Sequence, residues 1–345
     1  MSDDPLTDGG TGPIRVGLNG FGRIGRNVLR ASLTDDRIDI VGINDVMDAP
    51  EMRYLFQYDT VHGTTPDVSV ANGDLHVGDA SIPLLDVKDP AELPWDEHDV
   101  DVAFECTGLF RTYEDASAHL DAGAEKVVIS APPKGERDVL QIVYGVNHDD
   151  YAGEDVVSNA SCTTNSVVPV AKVLNEEFGI STGLLTTVHA YTGSQNLVDG
   201  PNSKPRRRRA AAENIVPTST GAAQAATEVL PELEGKLDGM AMRVPVPDGS
   251  ITELVVDLEG NPDEEAINAA FREAADGELA GVLGYTDEEL VSSDIVGAPF
   301  SSQVDLQSTN VINDGEMAKI LTWYDNEFGF ASRMLDTGTY VFENA

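Results

Sequence analysis

Cysteine is nearly absent from this 345-residue chain, which has only Cys106 and Cys162. Two thiols cannot build a disulfide framework, and these two show no metal-ligand spacing. The six histidines are scattered without an H-x-x-x-H pair and no Asp-rich calcium loop is present, so no metal site is expected. No apolar run reaches membrane-spanning length, so no membrane association is expected either. Positive charge is scarce as well: 22 Lys and Arg, only seven of them Lys, stand against 60 Asp and Glu, for a net charge of −38. Such a surface repels nucleic acid and anionic membranes. It also repels itself, except at molar salt, where the screening length falls to ~3 Å. The charge therefore favours a protein adapted to a high-salt cytoplasm over a merely acidic one.

What is present has the order of a two-domain α/β protein. The opening "MSDDPLTDGGTGP" is acidic and turn-rich, the opposite of a basic signal peptide with an apolar centre. Residues 1–12 read as a flexible acidic tail, and the protein as cytoplasmic. From residue 13 to about 160, short β-branched runs alternate with helical spacing: "IRVGLNG" (14–20), "RIGRNVLRASL" (23–33), "IDIVGIND" (38–45), "DVDVAFECTG" (99–108) and "KVVISAP" (126–132). That alternation marks a Rossmann-type parallel sheet with crossover helices. "VSVANGDLHV" (68–77) predicts a hairpin turning on Asn72-Gly73. After about 160 the runs "LLTTVHAYTG" (184–193), "MAMRVPVP" (240–247) and "SITELVVDLEG" (250–260) are strands with longer connections, and helices are expected near 263–276 and 287–291. The second domain, 161–325, is therefore α+β with a mostly antiparallel or mixed sheet. The segment 323–344 reads as a strand end followed by an amphipathic helix.

"GFGRIG" (20–25) follows the first strand and opens the first helix. Gly20 permits a tight turn, Gly22 lets backbone approach a pyrophosphate, and Gly25 lets the helix pack closely. The positive helix end then faces the phosphates. Asp45 follows about 20 residues on, at the end of the second strand, where a carboxylate would hold the adenosine ribose hydroxyls and repel a 2′-phosphate. The conjunction predicts a dinucleotide cofactor, NAD rather than NADP.

Cys162, in "SNASCTTNSVVPVAKVLNEEFG" (158–179), precedes apolar positions Val167, Val170, Ala171, Leu174 and Phe178 at helical spacing, with Gly179 as a stop. Asn159, Ser161 and Thr163 are cap-type residues, so Cys162 falls in a first turn, where the helix dipole favours a thiolate. Pro169 conflicts with a smooth helix. Locally, a buried cap cysteine and a nucleophile fit equally well. Cys106, in the apolar strand "AFECTG", reads as a core residue. His189, in "TTVHAYTG", is a candidate base, though spacing alone does not bring it to Cys162.

Taken in order, "NGFGRIGRN", "ECTGLF", "VVISAP", "SNASCTTN", "TTVHAYT", "STGAA", "GMAMRVPVP", "SSD" and "WYDNEFG" resemble phosphorylating glyceraldehyde-3-phosphate dehydrogenase of the bacterial and eukaryotic glycolytic type. The resemblance runs from about residue 13 to the C-terminal helix. It implies that Cys162 attacks an aldehyde, that His189 accepts its proton, and that a thioester is then released by phosphate. It implies glyceraldehyde 3-phosphate and inorganic phosphate as substrates, and NAD as cofactor. Thr192 and Arg243 resemble the site for the substrate's C3 phosphate; Ser161, Thr163, Thr220 and Gly221 resemble the site for attacking phosphate. Arg23, Ile24, Asp45, Lys88, Thr107, Ser130 and Asn326 match nucleotide contacts, with Lys88 where many relatives carry Arg. Pro201 matches the arrangement of NAD-specific members. Ser166 stands where many relatives have a second cysteine. The C-terminal helix, 326–345, completes the NAD-binding domain. The run "RRRR" (206–209) elsewhere would suggest a nucleic-acid patch; the resemblance implies instead a loop at a subunit interface, and a homotetramer. The alternatives are an erythrose-4-phosphate dehydrogenase, which releases a free acid, and a non-catalytic cofactor-sensing or RNA-binding protein.

Overall fold

The computed structural model describes residues 12–345. The acidic tail expected at 1–12 lies outside them but for Gly12. The first sheet is built around Ile14–Asn19, flanked in parallel by Ile38–Asn44 and Val102–Glu105. Lys126–Ile129 and Val156–Ser158 continue the parallel order on one side, and Ala80–Leu85 on the other. Every residue of Val102–Glu105 and Lys126–Ile129 is buried, as a parallel sheet covered on both faces requires. At the far edge Asp74–Val77 and Val68–Ala71 add antiparallel strands. Their hairpin turns on Asn72 and Gly73 at φ 57° and 93°, the left-handed pair that an Asn-Gly type I′ turn supplies.

The C-terminal ends of these strands carry polar side chains into the interior. Asn44 Nδ2 donates to Asn19 Oδ1 at 2.7 Å, and Asn19 Nδ2 to Glu105 Oε2 at 2.6 Å. Trp95 Nε1 donates to His119 Nδ1 at 3.0 Å, so the His119 proton sits on Nε2 and points to Glu105 Oε2, 3.2 Å away. A buried carboxylate is tolerated here because each oxygen has donors. The last helix, Phe328–Glu343, returns to this domain. Its Phe330, Ala331, Met334, Leu335 and Val341 join the core that also holds Val28 and Leu29 of the helix Arg23–Ser32.

The second sheet is mixed, in the order Val216–Ser219, Leu237–Val244, Ile180–Ala190, Ser250–Leu258, Met317–Tyr324, Ser302–Asp305 and Leu283–Thr286. Ser250–Leu258 alternates strictly between buried and half-buried positions; helix Cys162–Phe178 sends Val167, Val170, Ala171 and Leu174 into the shared core. That helix is continuous through Pro169; the bond lost is the one its missing N–H would have given the Asn165 carbonyl. Glu264–Asp276 forms the expected helix, capped by Asp263 Oδ1 on Ala266 N at 2.9 Å. The helix expected at 287–291 does not form. That segment bends at Asp287 and Glu288, runs on irregularly, and leads only to a single 3-10 turn, Ser292–Asp294. A single turn is too short to nucleate a helix by itself.

Candidate active site

Helix Cys162–Phe178 starts where it does because Ser161, in an extended conformation, accepts the Thr164 N–H on its Oγ at 3.0 Å. Gly179 ends the helix with φ 71° and donates to Asn175 O at 3.0 Å. The chain then reverses into Ile180–Ala190. The helix carries it ~25 Å at 1.5 Å per residue, and the strand to His189 returns it ~30 Å at 3.3 Å per residue. Comparable reach in opposite senses brings two residues 27 positions apart together: Cys162 Sγ lies 3.5 Å from His189 Nε2.

The hydrogen bonds fix the tautomer. His189 Nδ1 is 2.8 Å from the Ala190 carbonyl, which can only accept. Nδ1 therefore carries the proton, and Nε2 turns a lone pair toward the thiol. His189 is 2% exposed; burial first, then the nearby Arg243 charge, push its pKa down to about 3. Around Cys162, burial pushes the thiol up, while the Arg243 charge and hydrogen bonds from Thr163 pull it down. Desolvation thus outweighs the advantage expected for a thiolate at a helix N-terminus. The other thiol has the opposite neighbour: burial pushes Cys106 well up, and the adjacent Glu105 carboxylate adds to the rise. Only Cys162 has both a base and a cation.

Arg243 Nη1 donates to the same Ala190 carbonyl at 2.9 Å and to Thr192 Oγ1 at 3.2 Å. Its buried Nε has no partner, and among the described residues no carboxylate pairs with it. In a chain of net charge −38, a guanidinium without a carboxylate is an anion site by chemistry. A cavity of about 430 Å³ opens above it, lined by Cys162, His189, Arg207, Thr220, Gly221 and Arg243 among others. Thr220 and Gly221 stand at the start of helix Ala222–Val229, with Thr220 Oγ1 accepting from Ala222 N at 3.1 Å. Ser161 and Thr163 also line the cavity, but the Thr163 hydroxyl is 3.0 Å from Tyr324 OH, which also reaches Thr187 Oγ1 at 2.8 Å. Tyr324 meets the His189 ring edge-on, centroids 5.9 Å apart.

The glycine-rich turn suits a dinucleotide. A Cβ on Gly25 would fall 2.0 Å from Gly20 O, and one on Gly20, at φ 99°, 2.6 Å from Thr107 N. A Cβ on Gly22 would point into open space, beside a helix start that no side chain caps. Backbone N–H groups and the helix dipole are left for an anion there. Asp45 Oδ2 accepts from Phe21 N at 2.6 Å and Oδ1 from Met47 N at 3.0 Å, which staples the turn to the second strand while leaving lone pairs for hydroxyls. The residues present fit NAD.

Models of two families match the chain: "Glyceraldehyde 3-phosphate dehydrogenase, NAD binding domain" over residues 14–113 and "Glyceraldehyde 3-phosphate dehydrogenase, C-terminal domain" over 161–326. A glyceraldehyde-3-phosphate dehydrogenase from Haloarcula vallismortis is 70% identical over 333 residues, covering 96% of this chain and 99% of that one. Those of Geobacillus stearothermophilus and, as glyceraldehyde-3-phosphate dehydrogenase 1, Bacillus subtilis are each 51% identical over 331 residues, 95% of this chain and 98% of theirs. The chain belongs to the glyceraldehyde-3-phosphate dehydrogenase family.

Not every residue that the family resemblance singled out presents its side chain to a ligand. The Arg23 guanidinium is held by Asp59 and Glu327, so Arg23 and Ile24 offer a cofactor their backbone N–H groups. Thr107 is turned to Glu105 through both its N–H, at 2.8 Å, and its hydroxyl. Ser130 N donates to Glu105 O at 3.0 Å. Asn326 Oδ1 accepts from Ser250 Oγ at 2.6 Å, leaving its amide nitrogen as the donor. Lys88 is exposed and has no ion pair among the described residues. Sequence reasoning missed Tyr324, Ser250 and Arg207. Arg207 belongs to the "RRRR" run but turns inward to Ser194 Oγ at 3.1 Å, whereas Arg209 pairs outward with Asp199 at 2.7 Å.

Proposed function

We propose that this protein converts D-glyceraldehyde 3-phosphate, inorganic phosphate and NAD to 1,3-bisphosphoglycerate and NADH. The observation that carries the reading is the Cys162–His189 contact of 3.5 Å beside the carboxylate-free Arg243. Arg243 and Thr192 hold the C3 phosphate and so place the aldehyde carbon over Cys162 Sγ. The sulfur bonds to that carbon and the carbonyl oxygen becomes a hydroxyl, giving a thiohemiacetal whose hydroxyl proton His189 Nε2 accepts when the adduct is oxidised. The chemistry supplied with NAD is a two-electron acceptor for oxidation of that adduct to a thioester. Ser161, Thr163, Thr220 and Gly221, at two helix starts, position the second phosphate, whose oxygen attacks the thioester as Cys162 leaves as thiolate. Gly20, Gly22, Arg23, Ile24, Gly25, Asp45, Lys88, Thr107, Ser130 and Asn326 form the cofactor side.

Residues 13–160 with 326–345 serve as the NAD-binding unit and 161–325 as the catalytic one. The enzyme works as a cytoplasmic homotetramer in concentrated salt. The net charge supports the last point, since screening must relieve a surface of this density. Full activity after dialysis into low-salt buffer refutes that part alone. The enzymatic reading is tested by NADH formation from glyceraldehyde 3-phosphate with and without phosphate, for wild type and Cys162→Ser. Wild-type turnover requires phosphate, and the variant loses it by orders of magnitude while retaining NAD. A rate indifferent to phosphate, or near-normal turnover in Cys162→Ser, overturns the assignment.

A further inference from the structure

Beside Asn326, where the two domains meet, three acids crowd into one place. Asp248 comes from the turn before Ser250–Leu258; Asp325 and Glu327 come from the link between Met317–Tyr324 and the C-terminal helix. One oxygen each of Asp248 and Asp325 and one nitrogen of His62 lie within 4.8 Å of one another. Asp248 is the anomaly: it is 1% exposed, and neither of its buried oxygens accepts a hydrogen bond. A carboxylate left so would be stranded. Among the described residues no Lys or Arg pairs with it: Arg23 is held by Asp59 and Glu327, and Arg30 by Asp59 at 3.2 Å. His62 Nε2, 3.7 Å from Asp248 Oδ2, is beyond hydrogen-bond reach. Its lone pair is taken by Asn27 Nδ2 at 3.0 Å, an amide whose Oδ1 Arg30 fixes at 3.0 Å.

Asp325 shows the complementary pattern. Its Oδ1 accepts from Glu327 N at 2.8 Å and Phe328 N at 2.7 Å, and its Oδ2 from Gly297 N at 2.7 Å. A carboxylate offers about four acceptor sites, so Oδ2 keeps one lone pair. Two carboxylates this close in a buried site do not both ionise; one keeps its proton and shares it with the other. Asp325, with three N–H groups to satisfy, is the acceptor, and Asp248, with none, is the acid. Burial first, then the charges of Asp325 and Glu327, push the Asp248 carboxyl up to about 9.

We propose that Asp248, as a neutral acid, is a positioning residue for the cofactor: its O–H donates to Asp325 and so holds Asn326 in place. Asn326 follows Asp325 directly, and its Oδ1 accepts from Ser250 Oγ at 2.6 Å, two residues beyond Asp248. Turn and link are thus tied twice, through Asp248–Asp325 and through Ser250–Asn326, and the second tie leaves the Asn326 amide nitrogen as the free donor. The inference rests on the reading of Asn326 as a cofactor contact. His62, Asp325 and Glu327 are the titratable groups that face Asp248, with Arg23 behind Glu327. Ionisation of Asp248 replaces the first tie by repulsion from Asp325 and Glu327, and Asn326 loses its aim.

The test uses the full-length protein in molar KCl and follows NAD binding by calorimetry from pH 7.5 to 10. Wild type should bind NAD about tenfold more weakly at pH 10 than at pH 8, as expected when one proton lost near 9 is required. Asp248→Asn keeps a donor to Asp325 but cannot ionise, so it should match wild type at pH 7.5 and stay flat to pH 10. Asp248→Ala has no donor and should bind at least ~10-fold more weakly already at pH 7.5. A second readout is guanidinium unfolding from pH 5 to 8. The unfolded chain releases the Asp248 proton near ~3.9 while the native state keeps it, so wild type should lose stability relative to Asp248→Asn as pH rises. A flat wild-type profile, an alkaline fall that persists in Asp248→Asn, Asp248→Ala equal to wild type at pH 7.5, or a stability gap that does not widen overturns the proposal. Failure of wild type to bind NAD at any pH overturns instead the cofactor contact assigned to Asn326, and the stability gap still decides the Asp248 proton.

Discussion

Replacing His189 by Asn tests whether the imidazole is a neutral base before substrate arrives. An asparagine amide can keep the bond that Nδ1–H makes to Ala190 O, so the change removes Nε2 and leaves Arg243 in place. A positioned base contributes ~10²–10⁴ in rate, or ~3–5 kcal/mol of barrier at 1.36 kcal/mol per decade. The rate of the first NADH burst, from enzyme preloaded with NAD, should fall by that factor. The pH dependence is the sharper readout. Burial and Arg243 hold His189 down to about 3, so its proton-accepting form persists through the whole neutral range. Burial pushes the Cys162 thiol up, so the burst rate should rise with pH as that thiol ionises. The rise should survive in His189→Asn.

The same shift has a consequence for stability. A histidine whose folded pKa lies below the unfolded ~6.5 lets the unfolded chain bind a proton that the native state refuses as pH falls. Stability is therefore intact above about 6.5 and is lost below it, down toward the folded value. Near pH 5 the wild type should have lost about 2 kcal/mol at this site, at ~1.4 kcal/mol per unit, and His189→Asn should not. Guanidinium midpoints at the two pH values measure the difference. A burst rate within tenfold of wild type, or an acid limb that disappears with the imidazole, would refute the reasoning.

Three further outcomes are expected. Gly25→Ala puts a Cβ 2.0 Å from a backbone oxygen and should abolish NAD binding with gross loss of stability; Gly22→Ala meets no protein atom, so it should fold within about 1 kcal/mol of wild type yet bind NAD at least ~10-fold more weakly, as calorimetry would show. Tyr324→Phe removes the hydroxyl that Thr163 and Thr187 share, leaving Thr187 only its long bond to Ile251 O at 3.4 Å, and should cost roughly 1–3 kcal/mol in denaturant titrations, with little change in kcat/KM because Tyr324 touches no reacting atom. Arg243→Gln removes the charge that lowers the Cys162 thiol, so alkylation by iodoacetamide should shift to higher pH; an unmoved profile would show that the cation does not reach the sulfur.

Much of the site could be read locally because its parts are local devices. The turn Gly20–Gly25, the cap at Ser161 and the stop at Gly179 each depend on neighbours a few residues away, and each folds as its residue types require. The helix expected at 287–291 failed for the converse reason: five residues make little more than one turn, too few to nucleate a helix without tertiary packing. The meeting of Cys162 with His189 was implied by the ordered motif series and legible in principle from the lengths of one helix and the strand after it, though not from spacing alone. The roles of Tyr324 and Ser250 were not legible locally, since each acquires its role from a partner more than 70 residues away.

The sequence by itself determined the class of chemistry: a dinucleotide turn, one cysteine at a helix start, and a charge that repels nucleic acid. Only the tertiary structure decided which nitrogen of His189 faces the sulfur, because that depends on a single carbonyl, Ala190 O, shared with Arg243. It also decided that burial pushes the Cys162 thiol up against the pull of Arg243, since desolvation is a property of the packed interior and not of the chain.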